Sequence, residues 1–131
     1  MSTRPRITKF PVIVNGDMSA ATITSSATII QDLSMIGYSF TWTGSSPVGT
    51  IAVQVSNDFA LNAQGGVANA GTWNTITIEY QGAPVQSVPV TGNTGNGFID
   101  IDATGAYAMH VVYTKTSGTG TLNSVVNAKV A

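Results

Sequence analysis

Short segments that alternate apolar and polar residues constrain this chain more than any other feature. Residues 36–43 place four large apolar side chains on one side of the chain and small or hydroxyl residues on the other. This is the period of a half-buried β-strand. The same period returns in three further segments, 50–56, 73–80 and 106–114. Because no window shows a 3.6-residue helical period, the sequence predicts an all-β fold.

Clusters of turn-forming residues separate these segments. They include residues 44–47 (GSSP), 81–84 (QGAP), 91–97 (TGNTGNG) and 117–120 (SGTG), and each is predicted to be a turn or loop. About eight short antiparallel strands divided in this way are typical of a β-sandwich or jelly roll. A single antiparallel barrel also fits the pattern. Pro89 predicts that residues 85–90 form an edge strand.

Composition excludes several classes of protein. The 131 residues are the length of one domain, and only 8 % are charged, against roughly 25 % in an average soluble domain. Five Lys and Arg residues are too few for a broad nucleic-acid-binding face. The chain has no cysteine, which excludes disulfides and thiolate metal sites. No apolar run approaches the roughly 18–20 residues of a membrane span, so we expect no membrane partner, and no motif indicates a cofactor.

The first 14 residues differ from the rest of the chain. They hold three of the five basic residues, whereas residues 15–131 carry two Lys against six acidic residues. Prolines at positions 5 and 11 disfavour a helix there. We therefore predict an extended basic arm over residues 1–14, followed by a β-sandwich domain over residues 15–131. The segment is either a solvated terminus or an arm that contacts an acidic neighbour through Arg4, Arg6, Ile7, Lys9, Phe10 and Val12.

Residues that could carry chemistry are few. His110 is the only histidine, and strand parity places it opposite Met109, which favours a surface or interface histidine over a catalytic base. Asp100 and Asp102 project from one face of a strand and are weak candidates for a hard cation. Without further ligands we interpret them as a solvated face and predict no metal site. No catalytic constellation can be assembled, so the sequence predicts a protein that is not an enzyme.

Two other patterns have simple structural interpretations. Five aromatic residues could form a stacking platform for sugars, but their inward parity favours a role in the core. They are Phe40, Trp42, Trp73, Tyr107 and Tyr113. The glycines at 92, 95 and 97 do not form a phosphate loop, because no helix and no Lys-Ser/Thr pair follow them.

Two stretches carry a resemblance to a known group of proteins. One is residues 49–58 (GTIAVQVSND) with residues 71–76 (GTWNTI), and the other is residues 106–130 (AYAMHVVYTKTSGTGTLNSVVNAKV). In this order, a V-x-x-S-N-D strand, a T-W strand and an aromatic-rich hairpin resemble small virion proteins of tailed bacteriophages. The first half is also similar to discoidin-type carbohydrate-binding jelly rolls, in which a strand end packs against the next Trp-bearing strand.

The resemblance implies a function and partners but no catalytic residues. It implies a non-enzymatic head decoration, or cement, protein that is made in the host cytoplasm and lies on the outer capsid surface. Its partners would be the major capsid protein and copies of itself, as a dimer or trimer. The alternative is a glycan- or receptor-binding module of a tail or fibre. The low charge suits contacts between copies, because burying a partnered Thr or Asn costs far less than burying Lys or Glu.

Overall fold

The structure is a computed structural model that describes residues 7–30, 33–101 and 105–130. Across these ranges it contains twelve β-strands and no helix, and hence no helix that could span a membrane. All described strand pairs are antiparallel. The predicted all-β sandwich is confirmed.

The strands range in length from two residues to 24. They are β1 (Ile7–Asp17), β2 (Thr22–Thr24), β3 (Thr28–Ile29), β4 (Leu33–Ser56), β5 (Ala60–Leu61), β6 (Val67–Asn69), β7 (Asn74–Thr75), β8 (Ile78–Tyr80), β9 (Ala83–Val85), β10 (Val88–Val90), β11 (Thr94–Ile101) and β12 (Ala108–Val130). Strand β10 pairs only with β4 among the described strands, and Pro89 is exposed. The predicted edge strand is therefore confirmed for residues 88–90, whereas Val85 ends β9.

Two long strands organise the fold. Strands β4 and β12, of 24 and 23 residues, pair from Leu33↔Val130 to Ser56↔Ala108. The turns predicted at residues 44–47 and 117–120 are therefore wrong. Both segments remain in the ladder, where register shifts form bulges that absorb turn-like dihedral angles without ending the strands. Ser46 and Gly118 carry these angles, with φ of 50° and 82°.

The bulges divide the β4–β12 ribbon into two layers. In the first layer, residues 36–43 pair with residues 121–128, and β1 and β11 lie on either side. In the second, residues 49–56 pair with residues 108–115, with β2 and β3 beside β12, and β7 and β10 beside β4. The inner faces of both layers share one core, as expected for a sandwich. Its fully buried members include Tyr38, Ile51, Val53, Val88, Val90, Ile99, Met109, Val111, Tyr113, Leu122 and Val126.

Strand β1 corrects the predicted domain boundary at residue 14. It pairs with β12 from Ile7 to Asp17, and Val12 and Ile13 are buried in the core. Residues 7–14 therefore belong to the sandwich rather than to a separate arm, because their backbone is held in the ladder and two of their side chains fill the interior.

Strand β11 replaces the second part of the loop predicted over residues 91–97. Gly95 lies opposite Trp42 and Gly97 opposite Phe40. An added Cβ at Gly97 would be 2.6 Å from the Phe40 ring, and one at Gly95 would overlap the Trp42 ring. The two stacked rings, with centroids 6.2 Å apart, lie across β11. These glycines leave room for core aromatics, which a Gly- and Asn-rich composition does not indicate.

Filling one of these spaces is expected to destabilise the sandwich. We expect Gly95→Val to lower the free energy of unfolding by about 1–3 kcal/mol, the usual cost of forcing extra volume into a packed core. Urea denaturation measures the change. The matched control is Asn96→Val, the exposed neighbour on the same strand, which should change stability by no more than about 0.5 kcal/mol. Equal unfolding midpoints for the two variants would contradict the packing of Trp42 over Gly95.

Candidate functional site

His110 lies in a buried site on the outer side of the second layer. Its side chain is 6 % exposed, and its ring stacks on Trp73 with centroids 3.7 Å apart and planes 13° from parallel. The prediction that His110 is a surface or interface histidine is therefore wrong. Parity placed it correctly opposite Met109, which faces the core, but Trp73 returns over the outer side of β12 and covers it.

A polar row holds the imidazole in place. His110, Gln54 and Thr75 lie opposite one another on β12, β4 and β7. The Gln54 amide Nε2 donates to Thr75 Oγ1 at 3.3 Å, so its Oε1 accepts from His110 Nε2 at 2.8 Å. Burial lowers the pKa of His110 to about 4, which keeps the ring neutral. The row contains an amide and a hydroxyl but no carboxylate to orient a general base, and its arrangement fixes Trp73.

Asp58 fixes the start of a projecting hairpin. Its Oδ1 accepts hydrogen bonds from the Thr72 backbone N–H at 2.6 Å and from Ser56 Oγ at 2.8 Å, and these bonds hold the pKa of Asp58 below its usual range. Ser56 Oγ in turn accepts from the Phe59 N–H at 3.1 Å. The two ends of the segment are therefore joined at the sandwich.

We call residues 59–72 the finger. Within it, β5 and β6 pair, and Asn62 Oδ1 accepts from the backbone N–H groups of Gln64 and Gly66 at 3.0 and 2.9 Å. Every residue from 61 to 70 is exposed. Leu61 and Val67 lie opposite each other with 47 % and 59 % of their surfaces exposed. The finger is thus a hydrogen-bonded hairpin with an apolar pair near its end.

A shallow recess lies on the outer face of the first layer. Asp100, Gly37, Asn127 and Lys9 occupy one row across β11, β4, β12 and β1, and residues opposed in this way project to the same face. Phe98, in the next row, is 52 % exposed. An added Cβ at Gly37 would be 2.5 Å from Phe98 Cζ, so the ring lies across this glycine.

We call this recess the outer groove. It has a volume of about 210 Å³ and is lined by Met35, Ile36, Gly37, Phe98, Asp100, Asn127, Ala128 and Lys129. Apolar groups form most of its lining, and Asp100, Asn127 and Lys129 supply its polar groups. The groove can therefore accept a small apolar group beside hydrogen-bonding partners.

The structure separates the predicted arm residues. Arg4 and Arg6 lie outside the described residues. Ile7 pairs with Lys129 through the backbone. Lys9 and Phe10 are exposed, Phe10 by 54 %. Val12 is only 8 % exposed and packs in the core, so its predicted contact with a partner is corrected.

The predicted cation residues are not brought into a described cluster. Asp100 is exposed beside the outer groove, whereas Asp102 lies outside the described residues. Within the described ranges, no group of three or more His, Cys, Asp or Glu side chains could hold a metal ion.

The burial of the five aromatic residues tests the sugar-platform hypothesis. Phe40, Trp42 and Tyr113 are buried, as the core interpretation predicts, whereas Trp73 and Tyr107 are half-buried. Sequence reasoning missed Phe98 and the Leu61–Val67 pair as exposed apolar groups. For Phe98 a signal existed, since alternation with the buried Ile99 places it on the outer face.

Comparisons with known proteins support the fold. No family model matches the chain, and no curated protein matches it. The crystal structure of the SPBc2 prophage-derived protein YomS is similar, with a TM-score of 0.64 over 97 % of both chains at 14 % identity. At this identity the likeness shows a shared fold.

Two viral particle structures also match, but weakly. For the T13 IBDV particle the TM-score is 0.30, with 12 % identity over 99 % of this chain and 40 % of the other. For infectious bursal disease virus strain Gx the TM-score is 0.27, with 15 % identity over 98 % and 41 %. At such TM-scores the likeness carries no argument for this chain.

The buried His110 predicts a specific dependence of stability on pH. Its folded pKa of about 4 lies below the unfolded value of 6.5, so the unfolded chain takes up the proton first. Stability should therefore be constant above pH 6.5 with respect to this group and fall as the pH drops from about 6.5 to about 4. The pKa values of Asp17 and Asp58 lie below the ordinary value of 3.8. The stability that these two carboxylates contribute is therefore lost mainly at pH values below this window.

Urea unfolding at several pH values between 7 and 4 measures this dependence. We expect His110→Gln to remove most of the slope in that window, since the chain has no other histidine. The hydrogen bond to Gln54 can be kept by the new amide. If wild type and His110→Gln show the same slope, the burial of His110 under Trp73 does not control its titration.

Proposed function

We propose that this protein is a non-enzymatic structural component of a bacteriophage particle, a head decoration protein that binds neighbouring major capsid subunits on the outer surface. The observation that carries the proposal is the exposed pair Lys9 and Phe10 on β1, which we call the N-terminal edge. Two further basic residues, Arg4 and Arg6, precede it in the sequence.

The N-terminal edge presents an apolar group and a basic group from a fixed strand. Phe10 lies opposite Val126, on the core side of the sheet, but β1 is the outermost strand of its layer, so more than half of the ring remains exposed. Lys9 projects to the opposite face. Since the ladder to β12 already orders this backbone, a partner gains contact without the entropy cost of ordering it.

These two groups would contribute differently to binding. Burying the exposed half of the Phe10 side chain stabilises a contact by about 0.8–1.6 kcal/mol, half of the value for full burial of an exposed side chain. An exposed ion pair contributes about 0–1 kcal/mol. We therefore assign the affinity mainly to Phe10, and the approach to an acidic capsid surface to the basic residues.

Other features support a structural role. The surface is built from hydroxyls and amides with 8 % charged residues, which suits hydrogen-bonded contacts between proteins. The single histidine is neutral and holds Trp73 rather than a substrate. The fold is shared with a prophage-derived protein, and the sequence resembles small virion proteins of tailed phages.

The function itself is tested on particles. We expect heads decorated with this protein to release DNA at a higher temperature than undecorated heads, because a ligand that binds only the intact shell stabilises it. Release can be followed with a DNA-binding dye during heating. Equal release temperatures at saturating protein would refute the decoration role.

The N-terminal edge is tested by binding to empty heads. We expect Phe10→Ser to weaken binding about 4- to 15-fold, which corresponds to the loss of roughly 0.8–1.6 kcal/mol from the exposed half of the side chain. Removing residues 2–6, which precede the ladder to β12, should reduce the salt dependence of binding with a smaller loss of affinity. Val14→Ser, at another exposed position of β1, is the matched control and should bind as wild type does. Unchanged affinity for Phe10→Ser would show that the edge does not contact the capsid.

A further inference from the structure

Two exposed features of this chain are mainly apolar and lie on different layers. The finger projects from the second layer with Leu61 and Val67 side by side, and the outer groove is a recess on the first layer. We infer that the finger of one copy inserts into the outer groove of a second copy and joins copies head to tail. This contact between copies does not depend on the proposed virion role.

The finger is preorganised for insertion. Its conformation is fixed by the Asn62 and Asn69 side chains, which accept hydrogen bonds from Gln64, Gly66 and Gly71 N–H groups, and its two ends meet at Asp58. A flexible loop would turn Leu61 and Val67 away from water. The hydrogen bonds of the finger instead keep both side chains exposed. A segment ordered before binding loses little entropy when it docks.

The groove matches the finger in size and polarity. Its volume of about 210 Å³ is below the roughly 300 Å³ at which pockets for drug-sized molecules begin, which suits one or two aliphatic side chains. Met35 and Phe98, which line the groove, are 42 % and 52 % exposed. Leu61 and Val67 would be removed from water when they pack against the apolar lining of the groove.

Charge also fits this pairing. The sequence has no charged residue between Asp58 and Glu79, so the finger adds no charge of its own to the groove, where Asp100 and Lys129 already lie. A charged finger residue would have to be paired there to avoid a large desolvation cost. The Gln64 side chain and the exposed backbone of the finger supply donors and acceptors for Asp100 and Asn127 beside the groove. A highly charged partner segment would lack this match.

The topology makes the contact one between copies. The finger lies between Ser56, at the end of β4, and Trp73, whose ring stacks on His110 on the outer side of the second layer. The groove lies beside Met35 at the start of β4, on the outer side of the first layer. The sandwich separates the two features, so one copy does not fill its own groove.

Because the finger and the groove lie on opposite outer sides of each copy, one interface contains one finger and one groove, and the contact is heterologous. Such a contact closes into a ring when the rotation between copies allows it. The structure thus favours a cyclic assembly, such as a trimer, over a two-fold dimer in which each copy presents the same patch. Lys9 lies beside the groove, opposite Asn127 on β12, whereas Phe10 projects to the other face and stays available on every copy.

The test uses the full chain and measures mass in solution. Sedimentation velocity and native mass spectrometry over a range of micromolar concentrations should show wild type above the monomer mass. Leu61→Asp in the finger and Phe98→Asp in the groove should each be monomeric, with Val67→Asp and Met35→Asp as second variants at the same features. Val14→Asp, exposed on β1, is the control and should assemble like wild type. Thermal melting verifies that each variant is folded.

A mixture of variants separates this contact from other interfaces. Leu61→Asp keeps an intact groove and Phe98→Asp an intact finger, so their equimolar mixture should form a 1:1 dimer although each alone is monomeric. A two-fold interface would not be restored in this way. A monomeric wild type, assembly that survives both substitutions, or a mixture that stays monomeric would overturn the inference. So would a monomeric wild type that binds a saccharide through Phe98, which would make the groove a sugar site.

Discussion

The unbroken pairing of β4 with β12 is the constraint on which the rest of the structure depends. Each long strand contributes to both layers, so the bulges near Ser46 and Gly118 set how the layers face each other. Every other strand of the main sheet attaches to one of these two. Because the ladder continues through the bend, the two layers are joined by paired backbone as well as by their shared core. This connection gives a chain with few ions a cooperative scaffold.

Aromatic rings placed over glycines set the details of the first layer. Trp42 and Phe40 cover Gly95 and Gly97 inside the sandwich, and Phe98 covers Gly37 outside it. The same arrangement has opposite consequences on the two faces. Inside, it fills the core. Outside, it leaves an exposed ring beside a shallow recess, which we propose as the contact site for a second copy.

The sequence predicts the elements better than their connections. Alternation in residues 36–43 and 50–56 correctly indicates strands and their inward faces, because a half-buried strand needs that period. Glycine and proline in residues 44–47 predict a turn, yet long-range pairing keeps that segment in the ladder. The environment of His110 is beyond local prediction, since Trp73 covers it from 37 positions away in sequence. The finger and groove depend on the same kind of long-range placement, which explains why composition and periodicity did not indicate them.

The small number of charged residues limits how this protein can recognise a partner. Where charged side chains are few, long-range attraction contributes little to the choice of partner, and specificity must come from shape and from hydrogen bonds that are formed before binding. The finger meets both requirements in the contact that we propose, because amide side chains fix its conformation and two aliphatic side chains are exposed for binding. The N-terminal edge, near which basic residues concentrate in the sequence, is the exception. Steering by charge is thus confined to the one surface that we assign to a different protein, while contact between copies relies on fit.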